Sequence, residues 1–336
     1  MDASDLRAGD VLLYSSQSVI GKLIRFLDGT DVTHAGIYLG NEEVGEALMV
    51  GNAGINRNPV STSFAGTDWV EVRRLIQSDL DLKSVLEVAD GYLADGNRYA
   101  YVEILLLAVI LMTRKVDLED SRLGSIAWYT FRKVNDWIND VFEEGREPMI
   151  CSEFVFRCYD EAEPGDDDPY SIEVLSQAGR TMRRRFSRFR RRERILTDQP
   201  ESDLPTIHPD SILSKALKEP AKLTAAVTKS KKEALDVSTD QIESMISGFL
   251  GLAEMKFEKS VGATKVPSVK ISKEDLEVEA AQLAANLTSP ARSFFKVGPY
   301  ATAPLEAKAT AAFADFVTPG DLFKSPSLEA VGRIHS

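Results

Sequence analysis

Cys151 is the residue whose type and placement could supply a nucleophile. It comes directly before a segment with helical periodicity, and unpaired N–H groups together with the positive end of a helix dipole lower a thiol pKa. A nucleophilic cysteine also needs an imidazole that forms an ion pair with it or accepts its proton. The alternative is a small buried residue that happens to begin a helix, as an arbitrary cysteine often is.

The chain has three histidines, of which His34 is the best placed to serve that cysteine. His335 lies in the terminal tail and His208 in a proline-rich loop. His34 falls on a predicted strand with Gly36 on the same face and the small Ala35 beside it, so another element could approach the imidazole closely. Taken alone, His34 would be an ordinary histidine at the end of a strand.

Glu46 is the candidate third member of the site. It follows His34 by twelve residues and lies in the mostly apolar run VGEAL on the next predicted strand. A buried carboxylate needs a partner, and the second nitrogen of His34 would provide one, which would fix the tautomer and the orientation of the imidazole. If the register of the hairpin differs by one residue, Glu46 faces solvent instead.

The elements that must position these residues follow from hydrophobic periodicity. Short strands are predicted near the N-terminus, and helices predominate after them. Strands are predicted at 10–14, 33–39, 44–50 and 70–75, with a turn at 40–42. Helices are predicted at 18–27, 80–93, after Tyr99, and at 126–142, 152–162, 238–256 and 273–287. The final block, 316–334, is short and turn-rich.

Four segments in this order resemble the permuted NlpC/P60 (YiiX/YebB-like) papain-like family of cysteine hydrolases. They are AGDVLLY, THAGIYLGNEEVGEA, MICSEFVFRCYDEA and VTPGDLFKSPSL, and the resemblance covers roughly residues 5–160 and 313–336. In this branch the histidine strand precedes the cysteine helix. The resemblance implies an α+β fold, with a circularly permuted papain-like core built on an antiparallel sheet and, in this chain, a mainly helical insertion.

The resemblance also assigns roles to residues. It implies a triad of Cys151, His34 and Glu46, because the superfamily places a third polar group at this spacing from its histidine. Family members often carry a Tyr-Asp pair upstream of the cysteine; here Tyr99 matches the tyrosine and Ala100 replaces the acid. Tyr99 and Ser152 are expected to contact substrate or its oxyanion. No metal or organic cofactor is implied.

The predicted organisation is a core at 1–162, an insertion at 163–312 and a segment at 313–336 that returns to the core. The insertion is expected to be an oligomerisation or partner surface, or a lid. It contains a run from Arg180 to Arg194 with nine arginines and a net charge of +8, in a chain of net charge −12. That run is either solvated basic surface or a contact for phosphate, anionic lipid or an acidic partner.

Composition narrows the classes of function. The acidic balance argues against specific nucleic-acid binding, which needs a cationic footprint. The start of the chain has no pattern of a secretory signal, and the longest apolar run, 104–112, is shorter than the roughly 20 residues that a bilayer requires. We therefore expect a cytoplasmic protein, with export as an effector left open.

The expected function is a cysteine amidase or peptidase that acts on a peptide-like bond through a thioester acyl-enzyme. One alternative is a lipid acyl hydrolase or acyltransferase resembling the lecithin:retinol acyltransferase branch. In that case the run at 104–112 and the arginine run would form a membrane-facing surface. The other alternative is a non-catalytic binding module on the same fold.

Overall fold

A six-stranded antiparallel sheet is the centre of the fold, which belongs to the α+β class. The computed structural model describes residues 1–48, 54–77, 80–94, 102–118, 121–143, 149–163, 168–175, 181–182, 208, 210–217, 241–247, 250, 271–288 and 317–335. Its strands are β1 (Val11–Ser16), β2 (His34–Gly40), β3 (Glu43–Leu48), β4 (Gly54–Pro59), β5 (Thr67–Leu75) and β8 (Leu328–His335). They lie side by side in the order β4-β3-β2-β1-β5-β8. A separate pair is formed by β6 (Val174–Leu175) and β7 (Thr181–Met182).

Helices cover one face of the sheet and contribute most of the large apolar core. They are α1 (Val19–Asp28), α2 (Val60–Ser63), α3 (Lys83–Ala94), α4 (Val102–Thr113), α5 (Ser121–Glu143), α6 (Cys151–Asp160), α7 (Ile212–Leu217), α8 (Lys273–Thr288) and α9 (Pro319–Phe323). The apolar run at 104–112 is buried within α4. None of the helices in the described ranges is both long and apolar enough to cross a bilayer.

The predicted hairpin of β2 and β3 is confirmed, and it is the element that carries the histidine and the glutamate. Its turn has positive φ angles at Gly40, Asn41 and Glu42, of 89°, 53° and 60°. Glycine and asparagine tolerate this backbone region better than most residues. The predicted strand at 44–50 is seen as β3 to Leu48, and residues 49–53 lie outside the described ranges.

Helix α6 packs directly on β2 and β3. A side chain at Gly45 would lie 3.3 Å from the ring of Phe154, so the absence of one lets the helix approach the sheet closely. The opposite face of the sheet carries a smaller core that includes Leu12, Tyr14, Tyr38, Val44 and Phe64. Helix α6 and strand β2 are therefore in contact, although they are more than a hundred residues apart in sequence.

The C-terminal block differs from its predicted turn-rich character. Residues 328–335 form β8, which pairs antiparallel with β5 from Leu75 opposite Leu328 to Trp69 opposite His335. Strand β4 and helix α2 were not expected either. The division of the chain at residues 162 and 312 stays a prediction, since most of 183–270 lies outside the described residues.

Candidate active site

His34 is the first residue of β2, and Glu46 reaches it from β3. In the register of the hairpin Glu46 stands opposite Gly36, one pleat along from His34 on the same face. A Cβ atom at Gly36 would lie 3.0 Å from the Val44 side chain and 3.2 Å from the Tyr14 hydroxyl, so glycine lets both groups lie close to β2. His34 Nε2 lies 3.0 Å from Glu46 Oε2, and the Glu46 side chain is almost completely buried.

Asn58 completes the surroundings of the Glu46 carboxylate. Its Nδ2 donates to the second carboxylate oxygen, Oε1, at 3.0 Å. Burial by itself would raise the pKa of Glu46, but the hydrogen bond and charge of His34, together with Asn58, lower it below the ordinary value. Glu46 is therefore an ionised carboxylate with both oxygens engaged, as an orienting group requires.

Cys151 is the first residue of α6 and is fully buried. The N-cap residue is Ile150, whose side chain makes no capping hydrogen bond. Helices normally satisfy their first N–H groups with a polar N-cap side chain such as Ser, Thr, Asp or Asn. An apolar N-cap leaves these donors without that partner, at the position where the sulfur is held.

The imidazole of His34 interacts with Cys151 as well as with Glu46. Burial would lower the pKa of His34, but the charge and hydrogen-bonding interactions with Cys151, followed by those with Glu46, raise it to about 10. These interactions favour the protonated form of the imidazole. Since Nε2 is engaged by Glu46, Nδ1 is the nitrogen left for the sulfur.

Tyr14 is a residue at this site that sequence reasoning missed. It stands opposite His34 across β1 and β2, with the ring centroids 5.0 Å apart, and its hydroxyl lies 2.7 Å from Ser63 Oγ. Burial, then the charge of Glu46, raises the pKa of Tyr14 well above its ordinary value, and Cys151 contributes in the same direction. The Tyr14 hydroxyl is therefore protonated at neutral pH. The signal was the two-residue period that places it on the His34 face of the sheet.

A cleft of about 210 Å³ opens beside Tyr14, His34 and Glu46. Its other lining residues are uncharged and mostly small, including Ser16, Asn58, Thr62, Ser63, Ala65 and Thr67. Cys151 does not line this cleft and is fully buried.

The Ser152 hydroxyl, which was predicted to contact substrate or its oxyanion, is bonded within the protein. The Ser152 hydroxyl is fully buried and donates to the carbonyl oxygen of Val317 at 2.6 Å. Tyr99 lies outside the described residues. Cys158 is a second free thiol on α6, and burial raises its pKa well above the ordinary value. Among the described residues, no group of three or more His, Cys, Asp or Glu side chains could hold a metal ion.

No protein-family model matches the chain, and no curated protein matches it. Comparison with solved structures finds a likeness to the crystal structure of metalloprotein YiiX from Escherichia coli O157:H7, DUF1105, at 18% sequence identity. The alignment has a TM-score of 0.29 and covers 51% of this chain and 73% of that chain.

Proposed function

We propose that the chain is a cysteine hydrolase of the amidase or peptidase type, with a permuted papain-like core. Cys151 is the nucleophile, His34 the acid–base group and Glu46 the group that orients the imidazole. The observation that supports this assignment is that one imidazole interacts with Cys151 and with the buried Glu46 carboxylate, and has its pKa raised to about 10. Such a nucleophile, base and orienting group form the constellation that covalent acyl transfer requires.

The protonation state of His34 defines the order of the steps. The sulfur attacks the carbonyl carbon as a thiolate, a C–S bond forms, and the carbonyl electron pair moves to oxygen. As the tetrahedral intermediate collapses, the imidazolium of His34 gives its proton to the leaving amine and the C–N bond breaks. The resulting thioester is hydrolysed by water, whose proton His34 accepts, and the thiolate leaves.

The developing oxyanion needs hydrogen-bond donors that are already in place. The backbone N–H of Cys151 at the start of α6 is one, since Ile150 supplies no side-chain cap. The Tyr14 hydroxyl is the second, because its raised pKa keeps the proton available for donation and it lies on the side of His34 that borders the cleft. This pair replaces the expected contribution of Ser152, whose hydroxyl is directed to Val317.

The cleft favours a peptide-like substrate over a long acyl chain. Its described lining includes several hydroxyl groups and the side-chain amide of Asn58, which can pair with amide N–H and C=O groups. A volume of about 210 Å³ accommodates a small residue rather than an extended hydrocarbon. The apolar run at 104–112, which the lipid alternative placed on a membrane-facing surface, is buried in α4.

Profiling with thiol-reactive probes tests the proposal. A peptidyl probe and a long-chain acyl probe, each with the same electrophile, are compared on the wild type, on Cys151→Ala and on Cys158→Ala. We expect labelling by the peptidyl probe that disappears in Cys151→Ala and persists in Cys158→Ala. Labelling that is retained in Cys151→Ala would remove the nucleophile from the proposal. Preferred labelling by the acyl probe would favour the lipid class instead.

A further inference from the structure

Ser152 connects the start of α6 to the C-terminal part of the chain. Its Oγ donates to the carbonyl oxygen of Val317 at 2.6 Å, and both residues are fully buried. Since Ile150 makes no capping hydrogen bond through its side chain, the Ser152 hydroxyl is a directional contact that holds this helix start from outside the helix. It acts one residue away from the sulfur.

Thr318 fixes the position of Val317. The Thr318 N–H donates to Asp321 Oδ2 at 2.9 Å, and its hydroxyl accepts from the Asp321 N–H at 3.1 Å, which is the capping box that begins α9. The same hydroxyl lies 3.1 Å from Asp28 Oδ2, at the end of α1. A residue with three such contacts leaves the preceding carbonyl little freedom.

A buried ion cluster anchors this segment to two helices. Arg114, just after α4, lies 3.3 Å from Asp321 Oδ2 and 4.0 Å from Asp28 Oδ1 through its Nη2. Lys324 Nζ donates to the Asp28 carbonyl oxygen at 3.1 Å. A Cβ atom at Gly320 would overlap the Asp28 carboxylate, so the close approach of α9 to α1 depends on glycine.

We propose that Ser152 is a positioning residue for Cys151. Through Val317 and Thr318 it ties the start of α6 to the cluster of Asp28, Arg114 and Asp321, so that the segment 317–321 sets where the sulfur lies relative to His34. This inference rests on the proposed function, because it concerns the placement of the proposed nucleophile. Small displacements of reacting groups are costly, since a thiolate and an imidazolium stabilise each other only at close range.

The test measures alkylation of individual cysteines by iodoacetamide as a function of pH in the full chain, with each cysteine followed by peptide mass spectrometry. Cys158 is the internal reference, because it is equally buried on the same helix. The variants are Ser152→Ala, the conservative Ser152→Thr, and Ser211→Ala as a control at another buried serine. A role confined to stability would change the melting temperature without changing the pH midpoint of Cys151.

We expect wild-type Cys151 to react much faster than Cys158 at about pH 6, since a thiolate is the reactive species. In Ser152→Ala the Cys151 rate at that pH should fall about tenfold, because a sulfur displaced from the imidazolium is less often a thiolate. Ser152→Thr should recover most of the rate, and Ser211→Ala should match the wild type.

A folded Ser152→Ala with the wild-type rate and midpoint at Cys151 would overturn the inference. If Ser152→Ala does not fold, Thr318→Ala takes its place, with Thr318→Ser as the conservative variant. A reduced Cys151 rate in Thr318→Ala would then support the inference, and a wild-type rate would overturn it. A wild-type Cys151 that reacts no faster than Cys158 at any pH overturns the proposed function itself. The Cys151 rate of the wild type therefore distinguishes a failure of the proposed function from a failure of the inference about Ser152.

Discussion

His34 Nε2 lies 3.0 Å from Glu46 Oε2, and this contact leaves Nδ1 as the ring nitrogen available to Cys151. Glu46 is itself held by Asn58, so the imidazole is oriented by a carboxylate that has little freedom of its own. The relationship spans two adjacent strands and twelve residues of sequence. Removing the Glu46 carboxylate should therefore act on the orientation of this one imidazole.

Replacing Glu46 with Gln should lower kcat/KM by about a hundredfold or more while leaving the fold intact. Loss of the orienting carboxylate in serine-protease triads costs about 10⁴, because an amide selects the wrong tautomer of histidine. The measurement is steady-state hydrolysis of the peptide substrate found by probe profiling. Glu43→Gln is the matched control on the same strand, since Glu43 is exposed and pairs with Arg57. Equal activity in both variants would contradict the triad.

The titration of His34 should depend on Cys151. With the pKa of His34 raised to about 10, its imidazole should remain protonated through neutral pH and lose its proton only in strongly basic solution. In Cys151→Ala the charge and hydrogen-bonding interactions of the sulfur are removed, so the pKa should move down toward the ordinary value. Nitrogen-15 NMR of the three histidines measures this directly. His208 and His335 are internal references, and identical His34 titrations in both proteins would refute the ion pair.

The same shift predicts a pH dependence of stability. The folded chain binds the His34 proton more tightly than the unfolded chain, so the stabilisation is complete below the unfolded pKa of about 6.5. It is lost progressively as the pH rises toward about 10. The His34 contribution to the free energy of unfolding should therefore fall with rising pH, whereas a Cys151 thiolate formed on folding contributes the opposite slope below the pKa of about 8.5 of an unfolded cysteine. The net fall is therefore expected above about pH 8.5, and it should be smaller in Cys151→Ala. Urea denaturation at several pH values checks this, and parallel curves for the two proteins would be the contrary result.

Much of the site could be predicted from local sequence patterns. The positions of His34 and Glu46 follow from the two-residue period of strands and from a hairpin whose turn, Gly40-Asn41-Glu42, is written in the sequence. The placement of Cys151 at a helix start follows from the periodicity after Pro148. Local patterns succeed here because each element carries its own signal.

The rest depends on contacts that no local pattern encodes. Asn58 lies on β4, whose sequence GINRNP is polar and ends in proline, so it lacks the alternation of a half-buried strand. Strand β8, LEAVGRIH, forms because β5 offers it an edge, and such tertiary context overrides weak propensity. Tyr99 and most of the segment from Arg180 to Arg194 lie outside the described residues, so their predicted contacts with substrate and anionic partners stay predictions.

Tyr14→Phe should lower kcat by about tenfold or more with little change in KM. The hydroxyl is proposed to donate to the oxyanion, and loss of one such donor costs about 10²–10³ in subtilisin, where the donor is fully preorganised. A smaller loss is expected here because the backbone N–H of Cys151 remains. Ser63→Ala, which removes the partner 2.7 Å from the Tyr14 hydroxyl, is the companion variant and should have a weaker effect. A Tyr14→Phe enzyme with wild-type kcat would exclude this role.

Arg114→Met should destabilise the fold by about 3–5 kcal/mol at neutral pH, because removing one partner of a buried ion cluster leaves uncompensated charge. Burial and the nearby Asp321 charge already raise the pKa of Asp28, while Arg114 opposes that shift. Without the arginine the carboxyl should take up a proton more readily. Because a raised carboxyl pKa favours folding at low pH, the deficit should shrink as the pH falls from about 8 to about 5.

Chemical denaturation of Arg114→Met and of Lys115→Met at both pH values measures the effect. Lys115 is the neighbouring residue and forms only an exposed pair with Asp210, so its replacement should change the free energy of unfolding by about 0.5 kcal/mol or less. The contrast matters because the two variants remove the same charge at adjacent positions and differ in burial. If Arg114→Met were as stable as Lys115→Met, the buried ion cluster would not be what holds the segment 317–321 in place. The proposed link from Ser152 to that cluster would then lose its energetic basis.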